Sequence, residues 1–369
     1  MRHLYLAATG QNRGKTTISL GVMDGFSRRG LSMGFMKPVG QRTVMEEGVP
    51  ADEDAVLMKS VFSLTEPIAQ MSPVHIPRGF TQAYIEGRVV EDLPQRILDA
   101  HASFIADRDI LLIEGTGHAG VGAVVGLSNA VVAAMLGAPV VIVSEGGVGR
   151  PIDEVVLNAA LFERHGVHVA GAIVNKLDLG AKPDLEQTLE QGLARHGIPL
   201  LGVLPYRPIL SNPTLAMVLQ GVHGETLHPG PDLDQVIGGV AVGAMEPEHM
   251  LQRIGPRCLV IVPGDRADVI DAIVRAQRDS TVAGNDAVGV VLTGGYRPSA
   301  ATIDSIRRAN LFAALVPEDT YVVASEVRDL LVKTHPADAG KIAAIKALVW
   351  EHLFIDRLLA VASEVSPPA

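Results

Sequence analysis

Apolar runs of strand length alternate along this chain with stretches whose apolar residues recur at helical spacing. HLYLAAT, LSMGFMK, ILLIEG, PVVIVSE, VAGAIVN and LLGVLP read as strands, and the segments between them as helices. Short strands that are apolar on both faces, joined by helices, predict an α/β fold. Its sheet is parallel, covered by helices on both sides, and takes ligands at the carboxyl ends of its strands. The apolar stretch 121–143 is long enough to raise the question of a membrane span. Ser128, Asn129, Gly137 and Pro139 interrupt it, so a buried helix followed by a buried strand is expected.

Past Leu210 the texture changes to SNPTLAMVLQGVHGETLHPGPDLDQV, rich in Pro, Gly and His, before alternation resumes near Val240. A second, smaller α/β region follows in RCLVIVPGDR, VGVVLTGGY and LFAALVPEDT, and a helical segment closes the sequence at about 337–361. The expected division is 1–210, 211–330 and a C-terminal helical extension, 331–369. A length of 369 residues suits more than one domain.

Composition narrows the function. Hydrophobic residues make up 47% but aromatics only 4%, the usage of an Ala/Val/Gly-rich parallel α/β protein. A net charge of −10 without a Lys/Arg run argues against nucleic acid or an anionic membrane as partner. The N-terminus has no signal-peptide pattern, so a cytoplasmic protein is expected. The single cysteine, Cys258, lies in the apolar run CLVIV and reads as a core thiol. The histidines, among them His118, His223 and His228, show no metal-ligand spacing.

The first strand runs through GQNRGKTT into an amphipathic helix, which is the setting a P-loop requires. Residues 10–17 (Gly10, Gln11, Asn12, Arg13, Gly14, Lys15, Thr16, Thr17) would cradle the phosphates of a nucleoside triphosphate. Gly14 lets backbone amides close around phosphate, Lys15 reaches the outer phosphates, and the Thr16 hydroxyl suits Mg²⁺ at the positive end of the helix. The usual first glycine slot holds Thr9, with Gly10 one place later. Lys37, after the second strand, falls at the same sheet edge. Asp54 and Glu114 complete a Mg²⁺ set with Thr16, because that ion uses one or two carboxylates with phosphate oxygens and water. Asp52 or Glu53 could serve in place of Asp54. VNKLD at 174–178 also has the form of a guanine-specifying NKxD, in which Asp178 would bind the base; ATP and GTP both stay open on the residues alone.

With TGQNRGKTTISLG, FMKPVGQ, Asp54-Ala55, MSPV at 71–74, IEGTG from Ile113 and AGAIVNK from Ala170, residues 1 to 210 resemble the dethiobiotin synthetase family of P-loop proteins. The likeness is greatest to the version fused to the N-terminus of large phosphate acetyltransferases. This resemblance implies that Lys15, Thr16 and Lys37 handle phosphates and substrate and that Asp54 and Glu114 hold Mg²⁺. It implies further that Asn175 reads adenine, with Lys176, Asp178 and Pro205 beside it, and that the protein is a homo-oligomer. The sequence departs from the family at Gln11, Asn12 and Arg13, where Thr-Glu-Val is usual. Residues 211 to 328 resemble the DRTGG domain, on Asp265-Arg266, Thr293-Gly294-Gly295, GYRPS and VPEDTY.

Neither an acetyltransferase domain nor a glutaminase domain is expected from this sequence. The preferred reading is an ATP- and Mg²⁺-binding regulatory P-loop protein with slow turnover or none. Its DRTGG-like half would sense a small-molecule effector or dock a separately encoded acetyltransferase. The alternative is an ATP-dependent ligase or carboxylase, in which Lys15, Lys37 and Mg²⁺ stabilise a transferring phosphoryl group.

Overall fold

The computed structural model describes residues 1–104, 108–178, 180, 184–279, 286–330 and 332–363. They form two compact units. The first comprises Met1–Tyr206 together with the chain from Thr334 onward, and the second is Arg207–Lys333.

All six N-terminal apolar runs are strands of one sheet: β1 (Arg2–Ala8), β2 (Met33–Met36), β3 (Ile110–Glu114), β4 (Val140–Glu145), β5 (Val169–Leu177) and β6 (Leu200–Pro205). Their order is β6-β5-β4-β1-β3-β2, and every neighbouring pair is parallel. The strands are buried almost throughout, as expected where helices cover both faces. The 121–143 stretch resolves into the helix Asn129–Met135, capped by Ser128, and then β4. No described helix is long and apolar enough to cross a membrane.

Helix α1 (Lys15–Arg28) follows β1 directly, and α2 (Glu53–Phe62) follows a short hairpin. The segment expected as an extension, 331–369, contributes from Thr334 onward to the first unit. It supplies α3 (Ala339–His352) and α4 (Ile355–Val361), which lie against α1 at backbone-close range. A Cβ on Gly21 would stand 2.2 Å from Val349, and one on Gly25 2.7 Å from Ile355. Polar contacts edge this seam: Lys346 pairs with Asp24, Arg29 with Asp356, and the guanidinium groups of Arg28 and Arg29 lie over the Trp350 ring. The second unit is therefore inserted into the first in sequence.

At the opposite end of β1 from the P-loop, the His3 and His101 Nε2 atoms are 3.2 Å apart, their rings edge to face. One ring must donate and the other accept, so the accepting ring has to stay neutral. Burial, then His101 and the N-terminal ammonium, push His3 down to about 4; burial lowers His101 too. The unfolded chain takes up protons first as pH falls, so stability present above the ordinary value of 6.5 is lost towards about 4. Urea midpoints across that range should fall less steeply in His3→Leu than in the wild type; equal slopes would remove the pair as the source.

Among its described residues the second unit has five strands, β7 (Glu225–His228), β8 (Gly239–Val242), β9 (Cys258–Pro263), β10 (Ala287–Thr293) and β11 (Phe312–Leu315), ordered β7-β11-β10-β9-β8. Only β7 runs antiparallel to its neighbour. Cys258 is buried at the start of β9, and burial raises its thiol.

Candidate functional site

The site assembles at the carboxyl edge of the first sheet, from β1, β2, β3, β4 and β5. Gly14 ends the loop after β1 in the left-handed conformation (φ 87°) and caps α1, so that Lys15 is its first residue. Glycine is required twice over here. The backbone conformation disfavours a side chain, and a Cβ would stand 2.1 Å from Asn175 Nδ2. Lys15 is buried; burial and then the neighbouring Lys37 lower its ammonium to about 8. A cation held with so little compensation is poised for an anion.

Strand register explains the rest of the convergence. Met36 is level with Ile113, which sets Lys37 beside Glu114 at the ends of β2 and β3. Glu114 is fully buried, and both of its oxygens are used. Its Oε1 accepts from Lys37 Nζ at 2.8 Å and from the Thr16 hydroxyl at 3.2 Å, while Oε2 accepts from Ser19 at 2.6 Å. Lys37 also donates to Asp54 Oδ2 at 2.6 Å. Burial alone would lower Lys37, but Asp54, Glu114 and Asp52 together outweigh it and hold the ammonium charged, well above its ordinary value. Asp52 caps α2 by accepting from the Asp54 amide at 3.0 Å, and burial pushes it up to about 6 against the pull of Lys37. Asp52 therefore has a helix-capping contact, while Asp54 is the carboxylate turned to Lys37.

Thr16, Asp54 and Glu114 thus gather around one point with hard oxygen donors. Among the described residues, no group of three or more His, Cys, Asp or Glu forms a metal cage. That combination fits a Mg²⁺ ion completed by phosphate oxygens and water.

The loop interior is tied to the ends of β4 and β5. Arg13 forms ion pairs with Glu145 and with Glu154, the latter at 3.2 Å, and Glu154 also accepts from Thr9 at 2.7 Å. Glu145 and Asn175 are level in the sheet. Asn175 donates to the Arg13 carbonyl at 3.0 Å and accepts from the Lys176 amide at 2.9 Å. Lys176, at φ 55°, donates to the Asn12 carbonyl and lies 2.9 Å from Glu145. Asp178 accepts from the Gly180 amide at 3.1 Å. Pro205 ends β6 level with Leu177. Gly10, Gln11 and Thr17 belong to the loop and the first turn of α1; the Gln11 side chain passes near Gly117 in the turn after β3.

Two contributors escaped the reading of the sequence. Ser19 lies three residues after Thr16, so helical spacing places it on the same face. Asn129 gave no local signal. Its Oδ1 accepts from the Tyr5 hydroxyl and the Thr116 amide, and its Nδ2 donates to the Thr116 and His118 carbonyls, pinning the turn after Glu114.

The model of the AAA domain matches residues 2–214 and that of the DRTGG domain residues 217–330. The chain belongs to the AAA-domain family. This AAA-domain chain is similar to the phosphate acetyltransferase of Nitratidesulfovibrio vulgaris, with 27% identity over 360 residues covering 95% of this chain and 50% of that protein. It is similar also to that of Synechocystis sp., at 24% identity, covering 96% and 51% respectively. The AAA-domain chain spans about half the length of the curated relatives it matches. Among solved structures, the septum site-determining protein MinD complexed with Mg-ADP, from Pyrococcus horikoshii, matches with a TM-score of 0.38 and 14% identity over 57% of this chain and 83% of that one. The CBS and DRTGG domains of a Clostridium perfringens pyrophosphatase, complexed with diadenosine tetraphosphate, match at a TM-score of 0.29 and 22% identity, over 34% and 50%.

In the DRTGG domain the arginine and threonine of the motif are tied to neighbouring residues. Arg266 holds Asp268, not the adjacent Asp265, through Nε and Nη2 at 2.9 Å, and donates to the Met245 carbonyl at 3.1 Å. Thr293 is buried and bonded to the Thr320 hydroxyl at 2.7 Å. Gly294 and Gly295 both have positive φ, and a Cβ on Gly264 would stand 1.8 Å from the Tyr296 carbonyl. The glycines let these strand-end loops meet backbone to backbone.

Proposed function

We propose that this chain binds Mg²⁺ and ATP through its P-loop and acts as a regulatory protein, with turnover slow or absent. The observation that carries the reading is the commitment of five carboxylates at the phosphate edge. Asp54 and Glu114 hold Lys37, Asp52 caps α2, and Glu145 and Glu154 hold Arg13. A carboxylate acting as base on water or an amine must be free to take the proton at the reacting atom. These are spent on cations and caps, an arrangement suited to holding a nucleotide.

In this reading the amides of residues 10–16 and the Lys15 ammonium bind the phosphates. Thr16, Asp54 and Glu114 hold Mg²⁺, which supplies charge neutralisation of the phosphate oxygens. The DRTGG domain would take a small-molecule effector or an acetyltransferase partner, and the protein would be a homo-oligomer, as the family resemblance implies.

GTP is the second reading, supported by the way Asn175 and Lys176 of the NKLD sequence brace the loop carbonyls of Arg13 and Asn12. Calorimetric titration with Mg·ATP and Mg·GTP tests both. ATP should bind more tightly, and Asp178→Asn should leave its affinity within about twofold, since an exposed side chain remote from a ligand contributes little. Preference for GTP, with a sharp loss in Asp178→Asn, would overturn the choice of base. Binding of neither nucleotide would overturn the function.

A further inference from the structure

We infer that Lys37 is a resident counter-ion standing in the place of the metal, so that Mg²⁺ enters this site only together with a nucleotide. The inference rests on the nucleotide-binding reading above and concerns what the chain's own residues do before any ligand arrives.

Lys37 Nζ lies 2.6 Å from Asp54 Oδ2 and 2.8 Å from Glu114 Oε1, the two carboxylates that with Thr16 make the hard-oxygen set. The Thr16 hydroxyl already donates to the same Glu114 oxygen. A divalent ion needs oxygen lone pairs at about 2.0–2.1 Å, and here they point at an ammonium. The pair is withdrawn from solvent: Glu114 is fully buried, and Lys37 nearly so. Two cations sharing these oxygens would repel one another strongly where water screens little.

Charge balance gives the direction of coupling. Lys15 and Lys37 face Asp52, Asp54 and Glu114, so the cluster is within one charge of neutral without a ligand. Mg²⁺ alone would turn that balance from one negative to one positive charge, and it would meet carboxylate oxygens already held by Lys37. A triphosphate brings a larger negative charge and gives both ammonium groups new acceptors, which releases carboxylate oxygens to the metal. Lys37 thus keeps the buried Glu114 paired in the empty protein and penalises metal without nucleotide.

The test is calorimetric titration of nucleotide-free protein with MgCl₂ alone, with melting curves on the same samples. The wild type should bind Mg²⁺ about tenfold or more weakly than Lys37→Met, whose paired carboxylates lack a cation. The melting temperature of Lys37→Met should rise with MgCl₂, and that of Lys37→Arg, which keeps the charge, should not. Wild type binding Mg²⁺ alone as tightly as Lys37→Met would overturn the inference. If Lys37→Met is unfolded without metal, Mg²⁺ should restore its far-ultraviolet circular dichroism; failure to do so would equally overturn it. A separate ATP titration of the wild type keeps the two claims apart. Metal gain in Lys37→Met without ATP binding by the wild type would retain the counter-ion and dismiss the nucleotide.

Discussion

Lys15→Ala is expected to lose nucleotide affinity by about a hundredfold or more, because a charged donor to phosphate contributes some 1.5–3 kcal/mol per contact and Lys15 can make several. The empty protein should not suffer. Its ammonium is desolvated and faces Lys37, so burial and repulsion already hold it down to about 8. Removing it relieves a cost that Glu114, Asp54 and Asp52 offset only in part. The thermal midpoint of ligand-free Lys15→Ala should therefore equal or exceed that of the wild type, while calorimetry with Mg·ATP shows no saturable binding. Wild-type affinity in the variant would refute the P-loop assignment, and a lowered midpoint would show that Lys15 also supports the fold.

The second large effect is on stability. Gly21→Ala places a methyl group 2.2 Å from Val349, at the closest approach of α1 and α3. Exchanging Gly for Ala in a helix gains about 0.8–1 kcal/mol in propensity, whereas forcing atoms into a packed seam costs typically about 1–3 kcal/mol and sometimes more. The seam should win, giving a lower urea midpoint at unchanged slope. Val349→Ala should restore part of the loss in the double variant, since it clears the space the methyl needs. A stabilised Gly21→Ala would mean that the two helices part easily and that the seam holds little of the first unit together.

The six strands of the first sheet were legible because a parallel sheet buried on both faces demands unbroken apolar runs, and HLYLAAT, ILLIEG and PVVIVSE have nothing else to be. Lys37 and Glu114 could be picked out because each is polar where such a strand ends, Lys15 and Thr16 because the P-loop pattern names them, and Asp54, which follows a hairpin, because Mg²⁺ calls for a further carboxylate. The structure brings them together, but it also shows Lys37 and the two carboxylates satisfying one another, which spacing along a chain does not reveal. Asn129 was hidden, since its four contacts reach Tyr5, Thr116 and His118 across the fold. The docking of α3 and α4 on α1 was hidden as well. Gly21 and Gly25 look like weak points in a helix until Val349 and Ile355 are seen to fill the space above them. In the second unit β7 was missed because four residues at an edge, with Leu227 alone among them buried, carry little periodic signal.

The order in which this chain leaves the ribosome has a consequence for its folding. The P-loop and the helix behind it emerge first, the inserted unit next, and the helices that cover Gly21 and Gly25 last. Synthesis at about 5–20 residues per second leaves that apolar face uncovered for many seconds, long after local helices have formed. The second unit, whose strands are contiguous in sequence, needs no such wait. It is expected to be the first part of the nascent chain to reach its final protease resistance, with the first unit maturing only when α3 and α4 have emerged.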